Sequence, residues 1–255
     1  MSRIGFLAYN LGTRYGNVKR ARGSFLYTEK GIRLTDLYAE GGRAILGWGG
    51  SPAVTAFKDV LSRGITGSYK TDWDYRLDKA LSDLLGFTAI CYAFGCSEDA
   101  WDCLDECPDE WKPWSDESYA KSRAVILEPP LPMTDSITLM AVRKELDFSR
   151  PPSRSICIPA PLEAAFARSF YDVIKAEKER QEKDFFIYDK VLTQYWTRKG
   201  PWLSPKVPEK RYEEFVLHCL DCELVISPFY DTDSIVPYGV DKGVFRKLER
   251  TPFSF

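Results

Sequence analysis

Long apolar runs and an excess of charge of either sign are both absent from this sequence of 255 residues. No stretch approaches the length needed to span a bilayer, and the N-terminus MSRIGFLAYNLGTR has neither the apolar core nor the cleavage site of a secretory signal. Lysine plus arginine (35) nearly balance aspartate plus glutamate (37), which gives a net charge of −2. That balance argues against nucleic acid or a membrane as partner. The sequence therefore predicts a soluble, cytoplasmic protein, with a small-molecule ligand still open.

Histidine is almost absent as well, since His218 is the only one. A single histidine without a paired acid gives no acid–base constellation, so no catalytic residue is predicted. The seven cysteines are odd in number and come without an export signal, which favours reduced thiols. Cys219 and Cys222 form one C-x-x-C beside His218, for which we expect buried helix positions and no metal. A metal or thiol role for these three residues is the alternative.

A glycine-rich stretch, GGRAILGWGGSPAV at residues 41–54, lacks the residues that nucleotide-binding motifs require. A P-loop needs Lys and Ser/Thr where this sequence has Trp48 and Gly49. The dinucleotide pattern fails too, because Pro52 occupies the place of its third glycine. Two interpretations remain open. The glycines either permit positive φ angles and close packing, or they belong to a loop that lines a ligand pocket.

Hydrophobic periodicity predicts α/β organisation without internal repeats. A hairpin over residues 25–34, with Gly31 in its turn, precedes a helix that Ser51 caps. An acidic, tryptophan-containing segment, 96–121, is predicted as a surface excursion. The other predicted elements are a helix ending at Gly86, a buried strand at 87–94, a strand at Ala124–Leu127, a helix at 136–146, a long helix from Pro161, a helical run from Phe185 through Trp196, a helix around Phe215 and a strand at 224–228.

Residues 22–61, RGSFLYTEKGIRLTDLYAEGGRAILGWGGSPAVTAFKDVL, resemble the N-terminal portion of fold-type I pyridoxal-phosphate aminotransferases, class III in particular. The residues that match the family pattern are Gly23, Leu26, Gly31, Asp36, Gly42, Ala44, Leu46, Gly47 and Pro52. The resemblance extends through the helix that ends at Gly86, is looser in the C-terminal third, and is weak or absent between residues 95 and 155.

This resemblance implies a truncated aminotransferase-like fold, with small-domain elements and a reduced large-domain sheet. We expect one compact unit over residues 1–255, with parts at 22–86, 87–160 and 161–255. Because the family forms dimers that build pockets between subunits, the resemblance also implies a homodimer.

The cofactor residues of that family are the ones missing here. The family holds pyridoxal phosphate through a lysine that commonly follows Ser, Thr or His, and pairs an acid with the pyridinium nitrogen. This sequence has no such dipeptide. Glu128 ends a strand and Lys70 lies nearest the expected pocket loop, but neither fits the family pattern. We therefore expect no cofactor and a binding or interaction protein that has lost catalysis. A pyridoxal-phosphate aminotransferase with an unrecognised lysine is the alternative.

The resemblance implies where a remaining pocket would lie, because the glycine loop faces the substrate in related enzymes. The pocket candidates are Gly41, Gly42, Arg43, Trp48 and Tyr69. The guanidinium fork of Arg43 suits a carboxylate, although a surface salt bridge is an equally simple role for it.

Overall fold

The structure, a computed structural model, describes residues 2–67, 69–104, 108–115, 117–134, 136–146, 148 and 151–255. The helices are α1 (Arg3–Tyr15), α2 (Pro52–Ser62), α3 (Trp73–Leu85), α4 (Ser97–Trp101), α5 (Ala160–Glu179), α6 (Glu182–Phe186), α7 (Asp189–Leu192), α8 (Glu209–Asp221) and α9 (Arg246–Arg250). The strands are β1 (Val18–Arg22), β2 (Phe25–Thr28), β3 (Arg33–Asp36), β4 (Ala89–Phe94), β5 (Asp109–Glu110), β6 (Ala124–Leu127), β7 (Thr138–Arg143), β8 (Trp196–Lys199), β9 (Trp202–Pro205), β10 (Leu224–Val225) and β11 (Ser234–Ile235).

Contacts along the chain group these elements into two compact units. The first unit combines Met1–Gly49 with Arg180–Phe255, and the second unit is Gly50–Glu179. The predicted parts, with boundaries after residues 86 and 160, follow a different division, and the single compact unit stays a prediction. None of the described helices has the length and apolarity required to cross a bilayer.

The first unit contains two small sheets. One has the order β1-β2-β3-β10, in which β1, β2 and β3 are antiparallel and β10 runs parallel to β3. The other has the order β11-β9-β8. Helix α8 packs against β10 and buries Phe215 and Val216 in the core. The parallel pairing places Asp36, the last residue of β3, beside Val225.

The second unit contains the sheet β4-β7-β6-β5. Helix α5 packs against α2 and α3, and its Phe166 and Phe170 join the core formed by Leu81, Leu127 and Leu139. These five side chains are almost completely buried, so apolar burial provides the main stabilisation of this unit.

The hairpin and the two helices predicted between residues 25 and 86 are confirmed. The strand predicted at 87–94 forms as β4, but its three middle residues are half-buried rather than buried. Strands β2 and β3 form the expected antiparallel hairpin. Ser51 Oγ accepts a 3.3 Å hydrogen bond from Val54 N and Pro52 opens α2, as capping and proline preferences require. Helix α3 ends at Gly86, whose φ is 76°, and a left-handed residue at this position is the usual helix terminator.

The helix predicted at 136–146 is wrong. Residues Thr138–Arg143 form β7, which pairs antiparallel with β4 on one side and β6 on the other. Leu139, Met140 and Ala141 are good helix formers in isolation, but here they are fully buried in the middle of a sheet. Two flanking ladders of backbone hydrogen bonds and burial on both faces outweigh that local preference.

The helical run predicted from Phe185 through Trp196 is correct only in part. The region contains two short helices, α6 and α7, and the second of them ends at Leu192. Trp196 is not helical but begins the β8–β9 hairpin. The arginine of β8 explains the arrangement: Arg198 Nε donates to Asp189 Oδ1 at 2.6 Å, and Arg198 Nη2 also bonds Glu182. Arg198 is largely buried whereas Glu182 is exposed, and together these ion pairs tie both short helices to the hairpin.

The described residues of the acidic segment 96–121 lie mostly at the surface, as predicted, but they also form regular structure. The segment contains α4 and β5, and β5 pairs parallel with β6. Trp111 packs edge-on against Phe170 with ring centroids 5.6 Å apart. Four residues of the segment, Asp105, Glu106, Cys107 and Asp116, lie outside the described residues.

Candidate functional site

Asp36 is the buried acid at the centre of the predicted loop region. Only 5% of its surface is exposed, and its Oδ1 accepts hydrogen bonds from Tyr38 N at 2.9 Å and Ala39 N at 3.0 Å. Burial raises the pKa of the Asp36 carboxyl, and the N–H donors of Ala39, Trp48 and Tyr38 oppose that rise. The carboxylate thus fixes the turn that begins the glycine-rich stretch.

Trp48 closes the loop on the same carboxylate. Its Nε1 donates to Asp36 Oδ2 at 2.6 Å. Its backbone pairs with Gly23, with Trp48 N to Gly23 O at 2.8 Å and Gly23 N to Trp48 O at 3.0 Å. Side chain and backbone therefore hold Trp48 against the hairpin, and the indole N–H is used for an internal bond.

The glycines of the loop have positive φ angles, and Gly42 and Gly47 also have tight surroundings. Gly41 and Gly42 have φ of 67° and 109°, and Gly47 has φ of 96°. A Cβ on Gly42 would lie 3.0 Å from Trp202 Cη2, and a Cβ on Gly47 would lie 3.3 Å from Gly23 Cα. Positive φ angles are therefore confirmed at all three positions, and close packing is confirmed at Gly42 and Gly47.

Two arginines lie along the loop. Arg43 is half-buried, and its Nη1 donates to Glu40 O at 3.3 Å within the same turn. Arg180 Nη1 donates to Ile45 O at 3.0 Å, and its guanidinium lies 4.1 Å from the ring centroid of Tyr238. The sequence does not indicate a role for Arg180 at this loop, because Arg180 lies 135 positions from Ile45 in the chain.

The cleft beside Asp36 and Trp48 is small. It has a volume of about 10 Å³ and is lined by Asp36, Ala44, Trp48, Ile235 and Tyr238, among others. That volume holds about one water molecule, whereas small-molecule sites occupy roughly 300–1,000 Å³. Within the first unit, the loop is packed rather than open, and the assignment of Gly41, Gly42, Arg43 and Trp48 to a ligand pocket stays a prediction.

Tyr69 and Lys70 belong to the second unit, just before α3. The Tyr69 side chain is 85% exposed, and Lys70 is exposed too. Tyr69 also stays a prediction as a pocket residue.

The lysines of the chain share one property: every one of them is exposed. Glu128, the acid that directly follows β6, is exposed as well. A Schiff-base lysine is usually desolvated in a pocket, and the acid that pairs with a pyridinium nitrogen acts best away from water. The residues present in the described units thus do not fit the cofactor that the resemblance implies.

The C-x-x-C lies on and just after α8. Cys219 is fully buried, and burial raises the pKa of its thiol well above the usual value. Cys222 Sγ lies 3.8 Å from His218 Nε2, which is itself 2.7 Å from Thr251 O. A thiol with a raised pKa is a poor metal ligand and nucleophile, and no group of three or more metal-ligating side chains occurs in the described part of the chain.

A larger cavity lies in the second unit. Its volume is about 310 Å³, and its walls combine the apolar Leu104, Val142 and Phe148 with the polar Asp109 and Arg123. Asp109 Oδ2 accepts a 2.6 Å hydrogen bond from Ser122 Oγ. Mixed apolar and polar walls of this size are typical of small-molecule sites. No local sequence pattern indicates this cavity, because its walls come from separate elements of the sheet and its loops.

Comparison with solved structures shows which fold these elements build. An ornithine aminotransferase from Plasmodium yoelii superposes with a TM-score of 0.67 at 12% identity, covering 98% of this chain and 97% of the other. The chain has an aminotransferase-like fold. An acetylornithine aminotransferase from Elizabethkingia anophelis (TM-score 0.64, 12% identity, 98% and 97% covered) and an omega-transaminase from Sphaerobacter thermophilus (TM-score 0.63, 10% identity, 89% and 88% covered) agree. The α/β, aminotransferase-like fold expected from the resemblance is confirmed.

Two proteins of spirochaetes are similar to this chain in sequence. An uncharacterized protein of Treponema pallidum is 28% identical over 281 residues, covering 88% of this chain and 90% of the relative. An uncharacterized protein of Borreliella burgdorferi is 24% identical over 252 residues, covering 93% and 90%. No family model matches the sequence.

Proposed function

We propose that this protein uses an aminotransferase-like fold for binding and does not catalyse pyridoxal-phosphate chemistry. The observation that carries the proposal is the exposure of every lysine. An ammonium group surrounded by water is strongly hydrated and flexible, so it is poorly placed to hold a cofactor as a Schiff base.

The carboxyl groups that could pair with a pyridinium nitrogen support the same proposal. Glu128 is the strand-end acid that could pair with a pyridinium nitrogen, but it is exposed. Solvent screens an exposed ion pair, which is worth little. Asp36, by contrast, is buried, yet its two oxygens already accept three N–H donors inside the first unit.

The binding half of the proposal is supported by the 310 Å³ cavity. Its apolar walls would cover the body of a small molecule, and Arg123 and Asp109 would orient polar groups of the ligand. We also propose a homodimer, as the resemblance implies. Light scattering at micromolar concentration should give twice the mass of the 29.2 kDa chain, and a monomer would contradict this part.

The cofactor experiment tests the central claim. The purified protein is mixed with pyridoxal phosphate, its visible absorbance is recorded, and borohydride reduction is followed by peptide mapping. We expect no stable imine band and only scattered, substoichiometric labelling over many exposed lysines.

A stoichiometric label on one lysine would overturn the proposal and favour the aminotransferase alternative. Lys70→Ala is the matched variant, because Lys70 is the candidate from the sequence. A wild-type label that disappears in Lys70→Ala would identify that lysine as the cofactor site.

A further inference from the structure

One face of the β1–β2–β3 sheet of the first unit lies largely outside the core, apart from the buried Thr35 at its edge beside β10. In the register of the strands, Arg20 lies opposite Tyr27, and Tyr27 opposite Arg33. The neighbouring row places Arg22 opposite Phe25. Alternate residues point to opposite sides of a sheet. Leu26 and Leu34 are buried on the other side, so these five residues, which we call the outer face, point away from the core.

Arginine and aromatic side chains stack on this outer face. The guanidinium carbon of Arg20 lies 4.2 Å from the Tyr27 ring centroid, and that of Arg33 lies 4.3 Å from the Phe25 ring centroid. The arginines are exposed and the rings are half-buried. Each stack therefore presents a flat guanidinium towards the solvent, held in position by the ring beneath it.

The charge of the outer face is of one sign. Its register positions include no acid, and among the described residues Arg20, Arg22 and Arg33 have no carboxylate partner. Some arginines elsewhere are paired with acids, such as Arg3 with Glu213 at 3.0 Å and Arg14 with Asp221 at 2.7 Å. In a chain of net charge −2, three guanidinium groups without acids form a local anion-binding surface.

We propose that the outer face binds a short stretch of single-stranded nucleic acid. Flat guanidinium and aromatic groups are the surfaces on which unpaired bases stack, and the same arginines neutralise phosphates. Arg20 and Arg22 are two residues apart on one strand, roughly 6.6 Å along the sheet, so they contact successive anionic groups of an extended chain.

Two other anionic partners fit the outer face less well. A membrane surface would need protruding apolar side chains, whereas Phe25 and Tyr27 lie half-buried beside the arginines. An acidic peptide would use the charge but not the flat stacks. The balanced net charge that argues against nucleic acid is a sum over the whole chain and does not describe this face.

The test is fluorescence anisotropy with labelled twelve-nucleotide oligo-dT and oligo-U at several salt concentrations. We expect dissociation constants in the micromolar range at low salt, with a slope of log affinity against log salt of about −2 for three phosphate contacts. The variant Arg20→Gln/Arg22→Gln/Arg33→Gln should bind at least tenfold more weakly and lose most of that slope. A preference for one oligonucleotide identifies RNA or DNA as the ligand.

A matched variant controls for total charge. Arg63→Gln/Arg246→Gln/Arg250→Gln removes the same three charges from exposed positions outside the outer face and should bind like the wild type. Tyr27→Leu removes a stacking ring but no charge, so it should weaken binding severalfold and leave the salt slope unchanged. Circular dichroism of each variant confirms folding.

Three results would overturn the proposal. The first is equal binding by the wild type and the triple outer-face variant. The second is an unchanged affinity in Tyr27→Leu together with equal displacement by poly-glutamate, which would assign the face to acidic polypeptides. The third is binding to phosphatidylserine vesicles but not to oligonucleotides, which would assign it to a membrane.

Discussion

Trp48 Nε1 donates a 2.6 Å hydrogen bond to Asp36 Oδ2, and this bond joins the end of the glycine-rich loop to the end of β3. Asp36 is buried, so its charged form depends on the N–H groups that surround it. The other two donors, Tyr38 N and Ala39 N, are backbone groups that every substitution except proline leaves in place. Trp48 is therefore the side chain through which the loop conformation and the Asp36 charge are coupled.

Trp48→Phe should destabilise the protein and make its stability more dependent on pH. The change removes one donor from a buried carboxylate, which costs roughly 1–3 kcal/mol. It also raises the pKa of Asp36 further, because that donor stabilises the charged form. A carboxyl group whose pKa is raised in the folded state leaves the protein most stable below the pKa of the unfolded state. That stability is lost as the pH rises through the pKa of the folded state. Urea unfolding should thus show a larger deficit at pH 8 than at pH 4.

The control for this prediction is Trp101→Phe. Trp101 ends α4 and is 41% exposed, so its replacement should change the free energy of unfolding by less than about 0.5 kcal/mol. Equal effects of the two substitutions, or a Trp48→Phe deficit that is larger at pH 4, would contradict the coupling of Trp48 to Asp36.

Local signals were sufficient to predict the first part of the fold. The β2–β3 hairpin, the Ser51 cap and the Gly86 terminator each depend on residues within a few positions of one another. The resemblance over residues 22–86 also predicted the fold, which the solved aminotransferase structures confirm. Turn, cap and pattern residues carry this information in the sequence itself.

Strand β7 shows where local signals were insufficient. Its sequence TLMAVR has no period-two alternation, because both faces of the strand are buried. A short apolar run of this kind is compatible with a buried helix or a buried strand. Only the two neighbours, β4 and β6, decide between them, and pairing between distant strands is not visible in a single sequence.

The sequence was sufficient to predict the unusual backbone conformation of the loop glycines. It was not sufficient to predict the side-chain hydrogen bonds of the site. Asp36 belongs to the residues that match the family pattern, yet its bond to Trp48 spans 12 positions. Arg180 reaches Ile45 O across 135 positions. Such long-range hydrogen bonds depend on the packed fold. The glycines therefore indicate an unusual backbone conformation, but they do not reveal which side chains the loop contacts.

Glu163 provides a separate test of electrostatics in the second unit. Burial, with smaller contributions from Asp74 and Asp78, raises the pKa of its carboxyl to about 7. The folded state therefore favours the protonated form, and stability is lost as pH rises from the unfolded value near 4.5 through 7. At pH 8 the free energy of unfolding of Glu163→Gln should be roughly 1 kcal/mol higher than that of the wild type, so the variant is more stable. This figure allows for solvent screening. At pH 4 the difference should nearly vanish.

Glu179→Gln is the matched control, because Glu179 lies on the same helix and is exposed. Its pairing with Lys175 at 3.6 Å is a surface contact, so its loss should cost at most a few tenths of a kcal/mol. Thermal melts of both variants between pH 4 and pH 8 give the comparison. A Glu163→Gln advantage that is constant across that range would show that the carboxyl pKa is not raised.

Gly42→Ala tests whether the glycine loop is held by packing. Gly42 has φ of 109°, and an added Cβ would lie 3.0 Å from Trp202 Cη2 and 3.3 Å from its Cζ3. The substitution should cost about 1 kcal/mol for backbone strain and a further 1–3 kcal/mol for overpacking against the indole. Gly31→Ala separates the two effects, since Gly31 has φ of 76° and open space around the added Cβ. Urea unfolding should therefore give the larger loss for Gly42→Ala. Equal losses would mean that the loop yields to the extra methyl group and that backbone conformation alone selects glycine there.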